Sequence, residues 1–266
     1  MKPSSSHSIH SFLKENNTAG EPCYETDFYE KQLKIERSHF WFVFRNEVIL
    51  QAMRFIEKRL REPVDMLEIG CGAGNVLSFL NANGFPVEGA DLYLNGLIEC
   101  RKRTQGNLYQ FDVRAIPFQE KWNVIGCFDV IEHMEEDGLA LRSIHQALKK
   151  NGWLILTVPA VEMLYSKQEG THKRRYSRKA LMTKLREAGF TVERVTYFFF
   201  ILFPLFFVFR LIRKWKGQAV FQDDDFTLHP VLNRVFLKAC MIERKILRFT
   251  SLPIGSSLLC IARKIS

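Results

Sequence analysis

Hydrophobic and polar positions change period several times along this chain, and each change marks an element. Residues 40–61 carry Trp41, Val48, Ile49, Ala52, Met53, Phe55, Ile56 and Leu60 at helical spacing and stop before Pro63, which predicts a helix. Short apolar runs then alternate with amphipathic stretches. "VDMLEIG", "FPVEGAD", "NLYQFD" and "WNVIGCFDVIEH" read as strands. Between them lie the helices "NVLSFLNANG", closed by Gly84, "YLNGLIECRKR", and "DGLALRSIHQALKKNG", closed by Gly152. "WLILTVPA" is a further strand, "SRKALMTKLREAGF" a helix with Ser177 at its N-cap, and "TVERVTYFFF" and "GSSLLCIARKI" the last strands.

Strands alternating with helices imply parallel strands joined by right-handed crossovers, with helices on both faces. The expected fold is α/β: a Rossmann-like, doubly wound, mostly parallel seven-stranded sheet with an antiparallel C-terminal strand and a helical hydrophobic insertion. Four parts are expected: a flexible arm over 1–22, rich in Ser, Asn, Gly and Pro; a helical cap over 23–62; the sheet domain over 63–201 plus 252–266; and the insertion over 202–251.

Sheets of this kind bind ligands beyond the C-terminal ends of their strands, where strand order reverses. The notable polar residues fall there: Glu68 and a glycine loop after the first strand, Asp91 after the second, Asp112 after the third, and Asp129 to His133 after the fourth. The loop, in "LEIGCGAGN", spaces Gly70, Gly72 and Gly74 as G-x-G-x-G, whereas a dinucleotide fold prefers G-x-G-x-x-G with the pyrophosphate on a helix N-terminus. Glu68, two residues before the first glycine, would repel a diphosphate and attract a cation. S-adenosylmethionine, with a sulfonium, an α-ammonium and no phosphate, suits that chemistry. Asp91, about 20 residues past the loop, stands where an acid binds ribose hydroxyls.

Composition narrows the context. Residues 1–171 hold 19 Lys and Arg against 23 Asp and Glu, while 172–266 hold 19 against 6, so the net charge of +9 belongs to the C-terminal third and an acidic partner would meet the protein there. The six cysteines form no C-x-x-C pair and sit largely in apolar runs, which favours a reducing compartment over a disulfide framework or a zinc site. The N-terminus lacks the apolar core of a secretory signal, and a cytoplasmic location is expected.

Taken in order, "LEIGCGAGN", "GADLYLNGL", "FDVRAIPF", "DVIEHM" and "LKKNGWLILTVPA" resemble the class I S-adenosylmethionine-dependent methyltransferases over residues 64–160. The flanks "ERSHFWFVFRNEVI" and "GTHKRRYSRKALMTKLREAGF" resemble a bacterial subgroup whose members belong with cell-envelope saccharide or lipid biosynthesis. The resemblance makes S-adenosylmethionine the cofactor and 63–201 plus 252–266 its domain. It implies that Glu68, Gly70, Cys71, Gly72 and Gly74 shape the pocket for the methionine portion. Asp91, with Leu92 beside it, would hold the ribose; Asp112 would receive the adenine amino group, with Val113 stacking nearby; Asp129 would lie beside the sulfonium.

Several residues carry two readings. His133 is the best-placed general base, or a residue that caps its loop. His172, Arg175 and Tyr176 recognise an acceptor, or belong to a solvated basic loop. Trp41 and Arg45 cover the cofactor, or pack a helix on the sheet. The charge-free aromatic run 197–209 is too short to span a bilayer, which takes about 20 residues. Arg210, Arg213 and Lys214 follow on one helical face. Beyond them, Leu232, Val235, Phe236, Ala239, Ile242 and Ile246 share a side opposite Arg234, Lys238, Lys245 and Arg248. Residues 197–250 therefore make a peripheral membrane contact, or a cap on their own domain or on a second subunit.

The expected function is methyl transfer to a small-molecule or lipid- or saccharide-linked acceptor. Nucleic-acid methylation is the rival enzyme reading; the segment after the fourth strand, "DVIEH", lacks the Asn/Asp-Pro-Pro-aromatic loop, and the one Pro-Cys pair, Pro22-Cys23, lies in the N-terminal part, ahead of the sheet domain. The third reading is a non-catalytic, membrane-associated module on the same scaffold.

Overall fold

The computed structural model describes residues 4–6, 9–13, 35–160, 174–215 and 228–265. In chain order, β1 is Ser4–Ser6, β2 Ile9–Ser11, α1 Phe40–Glu57, β3 Met66–Ile69, α2 Asn75–Ala82, β4 Val87–Asp91 and α3 Leu94–Arg101. There follow β5 Leu108–Gln110, β6 Trp122–Phe128, α4 Asp137–Ala147, β7 Leu148–Pro159, α5 Arg178–Glu187, β8 Phe190–Phe198, α6 Phe203–Trp215, α7 Pro230–Leu247 and β9 Ser257–Lys264.

The strands form one sheet in the order β1-β2-β5-β4-β3-β6-β7-β9-β8. From β2 to β7 every pairing is parallel. The C-terminal β9 runs antiparallel between β7 and β8. Strand order reverses between β3 and β6, so the loops leaving these two neighbours diverge and open a crevice at their C-terminal ends.

Alternation of side chains splits the core in two. Met66, Val124 and Ile155 point to the face covered by α1, α2 and α7, where they join Phe44, Met53 and Leu80. Leu67, Ile125 and Leu154 point to the face covered by α4 and α5, with Leu141, Ile144 and Leu185.

Two local expectations are corrected. The sheet has nine strands where seven were expected, because β1 and β2, inside the expected arm, extend its edge. The free edge of β5 explains the addition: Phe12 N donates to Gln110 O at 2.8 Å, Ser11 Oγ bonds Gln110 Oε1 at 2.9 Å, and Ile9 is buried. The fourth helix of the sequence reading was expected to run to Gly152, but α4 ends at Ala147. Leu148 turns extended, is fully buried, and pairs with Trp122; the residues up to Trp153 are absorbed in an irregularity with Asn151 at φ 62°.

Of the residues expected to form the insertion, α7 packs against α1 and the core beneath it. Phe236, Cys240, Glu243 and Leu247 form its buried stripe. Asn233 ties it to the start of α1, accepting from Phe40 N at 2.8 Å and donating to Ser38 O at 2.8 Å, while Arg244 pairs with Glu47. Glu243 is wholly buried and accepts Ile201 N at 2.9 Å, so the turn between β8 and α6 hangs on a carboxylate of α7. That turn holds Phe199 at φ 61°, with its ring stacked on Trp41 at 5.5 Å. Of the expected amphipathic side, only Phe236 is buried: Leu232, Val235, Ile242 and Ile246 face outward. The side chains of Arg210, Arg213 and Lys214 lie outside the described residues.

Candidate active site

The glycine loop leaves β3 through a reversal that needs left-handed backbone. Gly70, Gly72 and Gly74 have φ of 71°, 51° and 84°. Space is as restrictive as torsion at two of them. A Cβ on Gly70 would meet Val130 Cγ2 at 2.3 Å, and one on Gly74 would meet Cys100 Sγ at 2.6 Å. The loop is fastened to β4 by Gly70 N donating to Ala90 O at 2.8 Å, and Cys71 is buried beneath it.

Asp91 organises the mouth of this loop. Its Oδ2 accepts Gly72 N at 2.8 Å and its Oδ1 accepts Tyr93 N at 2.9 Å, which also fixes Leu92 between them. Burial pushes the carboxyl above its ordinary range, and the backbone donors hold it down in part. A carboxylate has about four acceptor positions, and the backbone of Gly72, Leu92 and Tyr93 does not use them all.

Glu68 lies under the loop, 3 % exposed, and its Oε2 has no hydrogen-bond partner among the described residues. Burial raises its pKa well above the usual carboxylate range; Cys100, Glu36 and Asp91 add to the rise, and Arg45 opposes it. An interior oxygen of this kind is costly unless a donor or cation meets it.

Asp112 N-caps a short turn by accepting Arg114 N at 2.8 Å. Burial would raise its pKa, but the Arg114 guanidinium, 2.6 Å from Oδ2, outweighs that and leaves it lowered. Arg114 thus engages both oxygens of the carboxyl expected to receive the adenine amino group. Val113 is buried beside it.

After β6, Asp129 adopts φ 56°, an unfavourable region for a residue with a Cβ. Two bonds hold it there: Asp129 N donates to Thr157 O at 3.0 Å, and Arg45 Nη1 meets Asp129 Oδ2 at 2.8 Å. Arg45 comes from α1, is largely buried, and lies 5.1 Å from the Trp41 ring centre. The N-terminal helix is therefore clamped to the loop after β6. Trp41 itself is sandwiched in packing, edge-on to Phe42 and flat on Phe199.

Glu132 was missed by sequence reasoning. It is fully buried, neither oxygen has a hydrogen-bond partner among the described residues, and burial next to Asp129 drives its pKa well up, with Arg45 and Arg175 opposing. Flanked by His133 and placed just before the polar run that opens α4, it reads as a surface acid; only the depth of the turn at residues 131–133 reveals it. His133, half-buried, closes that turn.

The expected acceptor residues separate. His172 lies outside the described residues. Tyr176 is 2 % exposed, and its hydroxyl donates to Asp137 Oδ2 at 2.8 Å, with Arg174 and Lys184 on the same carboxylate at 2.9 and 2.8 Å. The tyrosine hydroxyl is thus engaged in an internal ionic knot that joins α4 to α5. Arg175 donates to Ala160 O at 3.2 Å and stays near the end of β7.

A family model described as a methyltransferase domain matches residues 41–195, more than half of the chain. The chain belongs to that family. It is a methyltransferase, and its cofactor is S-adenosylmethionine. Among curated relatives, the methyltransferase is 25% identical over 99 residues to the ubiquinone biosynthesis O-methyltransferase of Bordetella bronchiseptica, a match covering 35% of this chain and 41% of that one. The matched stretch is thus less than half of the relative's length. Solved structures with the same fold include an S-adenosylmethionine-dependent methyltransferase of Thermotoga maritima (TM-score 0.54, 18% identity, 90% of this chain and 95% of that one). Another is a methyltransferase of Archaeoglobus fulgidus (TM-score 0.53, 16% identity, 82% and 94%). The residues present fit the cofactor: the buried, unpartnered Glu68 oxygen suits a cationic or donor group, and the remaining acceptor capacity of Asp91 suits a ribose hydroxyl. No cluster of metal-ligating side chains occurs among the described residues.

Proposed function

We propose that this methyltransferase methylates a small, amphiphilic acceptor, lipid- or saccharide-linked, presented at a membrane surface. The cofactor-side assignment is part of the proposal: Glu68 and the glycine loop hold the methionine portion, Asp91 the ribose, and Asp112 and Val113 the adenine. The observation that carries the proposal is the buried Glu68 carboxyl beneath the glycine loop, whose Oε2 has no hydrogen-bond partner among the described residues.

S-adenosylmethionine supplies an electrophilic methyl group on a sulfonium. A neutral thioether leaves, so the leaving group needs no acid, and alignment can supply much of the rate. What remains for the protein is orientation and, for a hydroxyl acceptor, removal of a proton. Arg45 and Asp129 fix the turn after β6. His133, at the end of that turn, is the base in this reading. The relatives named as O-methyltransferases of ubiquinone biosynthesis support a small acceptor bearing a hydroxyl. The exposed apolar side chains of α7, Val231, Val235, Ile242 and Ile246, support one with an apolar portion.

The test is incubation of the enzyme and methyl-labelled cofactor with a cell extract, then separation into lipid, small-molecule, RNA and protein fractions. Label is expected in the lipid or small-molecule fraction; label confined to RNA or protein would refute the proposal. With the acceptor in hand, His133→Ala is expected to lower turnover by about 100-fold, the scale of general-base catalysis, with cofactor affinity retained.

A further inference from the structure

We infer that the outward face of α7, with the adjoining end of α6, docks on an anionic lipid surface. The inference takes its functional meaning from the amphiphilic-acceptor reading, while its physical basis is separate. The two helices meet through Phe206 and Phe236, whose ring centres are 5.9 Å apart. Beyond that contact the apolar side chains continue into solvent. Val231, Val235, Ile242 and Ile246 form one strip along α7, exposed by 60, 54, 57 and 39 %. Phe249 just past its end and Trp215 at the end of α6 are exposed by 84 and 88 %. A continuous apolar strip of this kind on a folded protein marks an interaction surface, and aromatic residues at its rim suit the boundary between water and lipid.

Charge identifies the occupant. Arg234, Lys238 and Lys245 are exposed and run beside the strip at helical spacing, one turn or two apart. Within α7 the only carboxylate is Glu243, which is wholly buried. The exposed side of the helix is therefore cationic and apolar together. A two-fold contact with a second copy would bring two such basic rows together with no carboxylate from either helix between them. Nucleic acid would neutralise the row and leave the strip in water. An anionic bilayer surface answers both, accepting the strip among its acyl chains and the row among its headgroups. No helix among the described residues is long and apolar enough to cross a membrane, so contact at the interface is the form this takes. Since α7 is pinned to α1 by Asn233 and Arg244, and α1 reaches Asp129 through Arg45, docking would present the crevice side of the domain in a fixed attitude to the lipid.

The experiment is co-sedimentation of the full chain, without cofactor, with vesicles of phosphatidylcholine alone and of phosphatidylcholine with phosphatidylglycerol. Binding to the anionic vesicles that falls with added salt is expected, with little binding to the neutral ones. Lys238→Ala/Lys245→Ala is expected to weaken it about 30-fold, from the usual strength of a basic side chain at an anionic surface. Ile242→Asp is expected to abolish it. All three substitutions are at exposed positions, and unchanged binding of S-adenosylhomocysteine by calorimetry verifies that the domain is intact. Absence of sedimentation with either vesicle, or binding indifferent to the two lysines, would overturn the inference. So would a concentration-dependent dimer that Ile242→Asp dissociates. In any of these cases label in the lipid or small-molecule fraction could still appear, so docking and methyl transfer fail separately.

Discussion

Replacement of Asp91 by Ala should weaken S-adenosylmethionine binding by about 100-fold or more, given roughly 1.5–3 kcal/mol for each hydrogen bond to a charged group. The effect has two sources that the structure joins in one side chain. In the proposed site Asp91 accepts ribose hydroxyls, and it holds Gly72 N and Tyr93 N at 2.8 and 2.9 Å, shaping the mouth of the loop. Loss of the side chain should leave the sheet standing, because β4 pairs on both sides through its backbone. Calorimetric titration and thermal melting of the variant separate the two effects. Unchanged affinity would remove Asp91 from the site, and an unfolded variant would mean that it serves the fold instead. Asp91→Asn, which can still accept from one backbone donor, should retain more of the loop and lie between the two.

Arg45→Met should cost stability on the scale of a broken buried ion pair, about 3–5 kcal/mol. Methionine keeps much of the packing against Trp41 and Phe42, so the loss isolates charge. The guanidinium meets Asp129 at 2.8 Å and also offsets the carboxyls of Glu68 and Glu132. The last two have folded pKa values raised above their unfolded ones, so the unfolded chain releases their protons first. Stability is then lost as pH rises from the ordinary carboxylate range toward the raised values. Removing Arg45 raises them further, so the gap between wild type and variant should widen once the pH passes the raised wild-type values, where only the variant still holds the protons. Denaturant melts over a pH series from 5 upward check this. A gap that narrows with pH, or no loss at all, would show that the pair contributes little.

The legible part of this protein was its alternation. Strands such as Trp122–Phe128, buried at every position, and helices with a clear apolar stripe declare themselves by period, and the acids at the strand ends declare the crevice. What stayed hidden depends on partners distant in sequence. Residues 4–6 and 9–11 are mostly polar, and become strands because β5 offers a free edge. Leu148 leaves the helix because Trp122 and Lys264 take its backbone into the sheet. The buried stripe of α7 contains Glu243, an acid no apolar pattern would select; its place follows from the backbone donors of the turn before α6. Tyr176 looked available in a basic stretch, yet Asp137, some forty residues away, claims its hydroxyl. Glu132 was overlooked for the converse reason: nothing local signals that an acid beside a histidine is wholly interior.

The claim beneath all of this is that the first loop of the sheet accepts a cation and refuses a diphosphate. Calorimetric titration of the protein with S-adenosylmethionine, in two buffers of different ionisation enthalpy, tests it most directly, with NADH as the competing ligand. A cationic group accepted by Glu68 favours its carboxylate form and lowers its raised pKa, so binding should release protons at pH values where the carboxyl of the free protein still holds its proton, and the observed heat should differ there between the buffers; NADH should neither bind nor compete. Binding of NADH at this loop, with S-adenosylmethionine and S-adenosylhomocysteine giving no heat, would contradict it.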